Sequence, residues 1–139
     1  MKQHKPRIFA ILLSMVLSTV AWAQNCQPSG KYIDANGETN TIAAGDTYSG
    51  SAPLTITFTA NPATTTDAAT NYEWHFFNQK NPRSAFLIRY DKDTEYTFTE
   101  AGTTRVILYE ILNGDTTRYN PISLSISESS LQMPNAFSP

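Results

Sequence analysis

Two stretches of this sequence alternate without a break. Leu54-Thr55-Ile56-Thr57-Phe58-Thr59 and Ile122-Ser123-Leu124-Ser125-Ile126-Ser127 set an apolar residue at every second position and a hydroxyl residue at the others. A period of two belongs to extended chain, where successive side chains point to opposite sides. Each stretch therefore predicts a strand with one face buried and one hydroxylated face in water. On a helix the same residues would be spread around the whole circumference and no buried face would form.

The rest of the chain from Pro53 follows the same rule. Asn61-Pro62 closes the first strand and Ala63–Asn71 reads as a polar loop. In Tyr72-Glu73-Trp74-His75-Phe76-Phe77, the residues Tyr72, Trp74 and Phe76 share one side. A turn at Asn78–Pro82 leads to a strand over Ser84–Tyr90, and Asp91–Asp93 turns into Glu95–Gly102 with Tyr96 and Phe98 in register. Thr103–Leu112 is apolar on both faces in its middle, as a central strand is, so Val106 and Leu108 compete with Ile107, Tyr109 and Ile111 for the core. Asn113-Gly114 is a hairpin signal, because both residues tolerate the positive φ of a type I′ turn. Seventeen threonines follow residue 23, and no window beyond it has helical periodicity. The prediction is an all-β sandwich of about six to eight strands over residues 50–128. The aromatics Trp74, Tyr72, Phe76, Phe58, Phe86, Tyr96 and Phe98 supply its core, and Leu124 and Ile126 close on Trp74. Residues 24–49, rich in Gly, Asn, Ser and Thr, read as an irregular lead-in with one short edge strand near Thr39–Ala43.

The N-terminus is of another kind. Basic Met1–Arg7, an apolar run from Ile8 to Val20 and small residues at Ala21 and Ala23 form the three-part pattern of a helical secretory signal peptide over 1–23, with cleavage between Ala23 and Gln24. The run is shorter than the ~20 residues that a membrane span needs. Cys26, the only cysteine, has no internal disulfide partner and reads either as an inert thiol in a floppy N-terminus or as a lipid attachment point. Cleavage removes Lys2, Lys5 and Arg7, leaving seven Lys and Arg against twelve Asp and Glu, a net charge of −5. That balance excludes the basic footprint of a nucleic-acid or anionic-membrane partner.

In order along the chain, Gly50–Asn61, Tyr72–Phe76 and Glu95–Glu110 resemble three motifs of the polycystic-kidney-disease (PKD) domain, an immunoglobulin-like sandwich of extracellular proteins. The chain departs from that pattern at His75, Phe77, Asn78 and Gln79, where the family often carries Asp and Gly, and at Thr104, where a core Tyr is usual. Met133–Pro139, "MPNAFSP", resembles the opening of the gliding-motility-associated C-terminal domain of Bacteroidetes surface proteins, which serves the type IX secretion route. Residues 129–139 then read as a linker and the first residues of that domain. The two resemblances together imply a secreted or cell-surface module, a spacer or an adhesion and protein-interaction domain, whose partners are neighbouring domains, extracellular proteins or glycans.

No catalytic constellation is legible. His75 is the sole histidine after the signal peptide and by alternation points away from the Trp74 face, with no nucleophile that the sequence sets beside it. One His and one Cys do not make a zinc site, and no cofactor is expected. Asp91, Asp93 and Glu95 are the one cluster of carboxylates spaced to offer oxygens to calcium. Phe77 and Tyr109, on strand faces opposite the core, are the candidates for stacking on a sugar ring, the basis of an alternative reading as a carbohydrate-binding module.

Overall fold

The computed structural model describes residues 25–63 and 70–129. The expected signal peptide, its cleavage point at Ala23 and Gln24, and the segment resembling a C-terminal domain lie outside the described residues. Ten strands follow in order: β1 (Ser29–Ile33), β2 (Thr39–Ala43), β3 (Thr47–Ser51), β4 (Leu54–Thr59), β5 (Thr70–Asn78), β6 (Leu87–Arg89), β7 (Asp93–Phe98), β8 (Gly102–Leu112), β9 (Asp115–Arg118) and β10 (Ile122–Ser127). The described residues are all-β and contain no helix. Among them, no helix is long and apolar enough to cross a membrane.

The strands form two sheets in a sandwich-like arrangement. One has the order β2-β1-β4-β7, and the other has β3-β10-β8-β5-β6 with β9 also paired to β8. All pairings are antiparallel except β3 with β10. The alternating stretches behave as their period dictates. Leu54, Ile56 and Phe58 from β4 meet Tyr72, Trp74 and Phe76 from β5 and Ile122, Leu124 and Ile126 from β10 in one buried cluster. Phe58 ties the sheets together, its ring centroid 5.6 Å from Trp74, 5.5 Å from Phe76 and 6.4 Å from Phe98. Trp74 is fully buried, and its indole N–H donates to the Lys92 carbonyl at 3.2 Å, so the one polar atom on the ring is satisfied.

The central strand resolves the competition between its two faces by burying both. Val106 and Leu108 point into the core cluster, while Ile107 is buried on the opposite side of the sheet, across the ladder from His75. The hairpin at Asn113-Gly114 forms with φ of 52° and 88°, joining β8 to β9.

Three expectations are corrected. The lead-in is not irregular: β1, β2 and β3 fall within residues 24–49 and the first residues after it, and β1 lies between β2 and β4. The short edge strand expected near Thr39–Ala43 is β2, whereas β1 and β3 escape sequence reading because each brings few apolar side chains to the core. At Gly30 none is possible: opposite Phe58, an added Cβ would lie 2.9 Å from Ile56 Cγ2. The stacked rings of Tyr32 and Tyr48, 4.1 Å apart, link β1 of one sheet to β3 of the other. Phe86 is no core residue, being 44 % exposed. The strand expected over 84–90 shrinks to Leu87–Arg89, because it is an edge whose only ladder is to β5.

Chain direction gives the sandwich two distinct poles. Asn25 and Cys26 enter beside the end of β4, where Cys26 bridges Pro62, and beside Glu110 near the end of β8. The last strand leaves at the other extreme: Ile126 pairs with Gly102 at the start of β8, and the Ala52 N–H donates to the Ser127 carbonyl at 2.9 Å. The eight steps of β8 from Gly102 to Glu110 separate exit from entry by about 26 Å at ~3.3 Å per residue.

Candidate functional site

Three places gather polar and aromatic side chains: the outer face of the larger sheet, the entry pole and the exit pole. On the outer face, alternation turns Glu73, His75 and Phe77 of β5 outward beside Arg105, Ile107 and Tyr109 of β8, with cross-strand pairs Glu73 with Tyr109, His75 with Ile107 and Phe77 with Arg105. Phe77 and Tyr109, chosen from sequence as sugar-stacking rings, thus share one face. They are joined through His75, whose ring centroid is 4.5 Å from Tyr109 and 6.3 Å from Phe77. His75 Nε2 lies 2.9 Å from Glu73 Oε1. The Arg105 guanidinium sits 5.4 Å from the centre of the Phe77 ring and donates to the Pro82 carbonyl at 3.2 Å. Both candidate rings are half-buried and packed against these neighbours.

The entry pole is closed by a buried polar cluster that sequence reading missed. The Tyr119 hydroxyl donates to Glu110 Oε1 at 2.7 Å and accepts the backbone N–H groups of Asn25 and Cys26, each at 2.9 Å. The Asn25 side-chain amide donates to Glu110 Oε2 at 3.3 Å. A carboxylate buried in a sandwich is tolerable only when its lone pairs are filled, and here the chain's entry segment supplies the donors. A signal for this cluster existed: Glu110 stands in phase with Val106 and Leu108 on β8, so alternation already aims its charge inward. Burial pushes the Cys26 thiol up from 9.0 to about 11; its hydrogen bond to Tyr119 works against the rise and the charge of Glu110 adds to it. Burial and the bond to Glu110 raise Tyr119 as well, against the two backbone donors that lower it. Cys26 is therefore not a thiol in a floppy terminus but a packed one, 5 % exposed. A lipid on its Sγ would have to leave through the closed end of the sandwich.

The exit pole is open. A cleft of about 290 Å³ lies between the end of β5 and the turn from β7 into β8. Phe86, Tyr96 and Phe98 form its aromatic wall, and Asn78, Gln79, Lys80, Glu100 and Thr103 are among its polar lining. The wall continues the core network, since Tyr96 lies 4.7 Å from Phe98 and 6.2 Å from Phe86 between centroids.

The carboxylates Asp91, Asp93 and Glu95 are not gathered into one cluster. Among the described residues, no group of three His, Cys, Asp or Glu side chains is placed to hold an ion. Asp93 and Glu95 stand on one exposed face of β7, about 7 Å apart along the strand. Glu95 instead accepts from the Thr57 hydroxyl at 3.5 Å.

Comparison with protein-family models, curated proteins and solved structures finds no match to the chain.

Proposed function

We propose that this chain is a non-enzymatic extracellular module, a PKD-like spacer and adhesion domain of a secreted or cell-surface bacterial protein linked to type IX secretion. The observation that carries the spacer reading is the placement of chain entry and exit at opposite poles, with β8 running the length between them. A domain with that polarity adds its full length to whatever it connects. It also carries tension in shear, because a pull between Asn25 and Ser129 drags β10 along the antiparallel β8, loading ladder hydrogen bonds that stand across the strands. The closed entry pole supports the same reading, since Asn25 and Cys26 are held by side chains more than eighty positions away in the chain. The signal-peptide pattern supports export, and the outer face with His75, Phe77, Arg105 and Tyr109 is the broad surface available for a neighbouring domain or an extracellular protein.

Single-molecule extension through handles at residues 25 and 129 tests the mechanical part. A single cooperative rupture is expected, releasing roughly 350 Å of chain at ~3.6 Å per residue after subtracting the folded length. Gradual extension at low force would overturn the spacer reading, and a chain retained in the cytoplasm on cell fractionation would overturn export.

A further inference from the structure

We infer that the exit-pole cleft is a saccharide-binding site that takes one neutral hexopyranose ring, such as the terminal unit of a glycan. This goes beyond the spacer reading and does not depend on it.

Size sets the first limit. Ligand sites run from ~300 to 1,000 Å³, so a cleft of about 290 Å³ suits a single ring and not a peptide helix or an extended chain. The lining sets the chemistry. Phe86 is 44 % exposed although its ring is held by edge contacts to Phe76 and Tyr96, at 6.2 Å each. An aromatic ring fixed in place yet left open offers a preorganised apolar surface, which matches the C–H face of a pyranose.

The polar side of the cleft is arranged to meet hydroxyl groups. Gln79 Oε1 accepts the Thr103 backbone N–H at 3.2 Å across 24 positions. That bond fixes the amide so that its NH₂ end is turned to donate elsewhere. Asn78 is fixed in the same sense, its Oδ1 accepting the Asn81 N–H at 3.0 Å. Glu100, exposed in the turn between β7 and β8, has no hydrogen-bond or ion-pair partner among the described residues and is a pure acceptor. The Tyr96 hydroxyl is likewise without a protein partner among them. Hydroxyl groups donate and accept at once, so a polyol matches a rim that offers amide donors, a carboxylate acceptor and a phenol together. Lys80 and Glu100 on the same rim oppose each other in charge, which favours a neutral ligand over an anionic or cationic one. The site escaped sequence reading because Phe86, just before β6, and Tyr96 of β7 look like ordinary core aromatics.

The test is a titration of the full-length chain, isotope-labelled for backbone NMR, with glucose, galactose, mannose and N-acetylglucosamine and with their linear tetramers. Saturable shifts at Gln79, Thr99–Thr103 and Phe86, with a dissociation constant in the millimolar range or tighter for at least one sugar, are expected. Glu100→Gln, which removes a charge without touching the core, should weaken binding about threefold to tenfold, the loss of one charge-assisted hydrogen bond. Phe86→Ala should weaken it at least about tenfold, as loss of an aromatic contact does, and Phe77→Ala and Tyr109→Ala should leave it unchanged. Absence of saturable shifts with every sugar up to tens of millimolar overturns the proposal. So do shifts centred on residues 75, 77 and 109, or equal binding by Glu100→Gln and the unaltered chain. Any of these results leaves the rupture measurement of the spacer reading untouched.

Discussion

Two tyrosines show how differently the ends of this sandwich are built. Tyr119 at the entry pole is 3 % exposed and its hydroxyl takes part in three hydrogen bonds, to Glu110, Asn25 and Cys26. Tyr96 at the exit pole is half-buried, packed against Phe98, Phe76 and Phe86, with a hydroxyl that meets no protein partner among the described residues. A buried polar atom without partners costs ~1–3 kcal/mol, so the first arrangement has to be complete, whereas the second faces water and loses nothing by waiting for a ligand. The closed pole is where stability concentrates, and the open pole is where a surface can change without unfolding the domain.

Substitutions at the two ends should therefore separate. Tyr119→Phe removes the hydroxyl that three groups bond at once, and a loss of about 3 kcal/mol is expected in urea unfolding, at ~1 kcal/mol for each bond removed. A loss below ~0.5 kcal/mol would mean that the cluster is not a structural lock. Gly30→Ala probes the crowded interior beside the closed pole. Its new methyl group would meet Ile56 Cγ2 at 2.9 Å, so overpacking should cost ~1–3 kcal/mol; a neutral result would show that β1 can shift off β4.

Alkali offers a gentler way to open the same end. The folded thiol of Cys26 sits at about 11 against 9.0 for the free group, and Tyr119 is shifted upward too. Both groups then hold their protons more tightly when folded, so the stability they contribute is complete below pH 9 and falls as pH rises through the folded value. The urea midpoint should decline between pH 9 and 11, and Cys26→Ala should flatten the first part of that decline. A midpoint independent of pH over this window would contradict the burial of the thiol. Smallest of all is Glu100→Gln, expected to change stability by less than ~0.5 kcal/mol in the same assay, because its side chain is exposed and has no partner among the described residues. A larger change would make the open pole part of the folding core.

Much of the fold was legible because backbone period and side-chain chemistry agree in β4, β5, β7 and β10. Trp74, Phe58, Phe98, Leu124 and Ile126 are buried in the cluster that alternation assigns them to. Elsewhere the local signal was too thin. The edge strand β2 was expected at Thr39–Ala43, but β1 has a glycine where a core residue would stand, and beyond its hairpin with β2 it pairs with β4, a ladder that no short window contains. The cleft was illegible for a related reason: Phe86 became a wall of a site, and not a core residue, only because the short edge strand β6 leaves it uncovered.

By itself, then, the sequence determined that this chain is made of strands and which side of each principal strand is apolar, since a period of two admits no other repeating structure with a buried face. Only the tertiary structure decided which sheet each strand joins, that Glu110 meets Tyr119 and the entry segment, and that one pole closes while the other stays open. Those outcomes depend on contacts between residues from 9 to 94 positions apart, which are fixed by the packing of two whole sheets and not by any short stretch of chain alone.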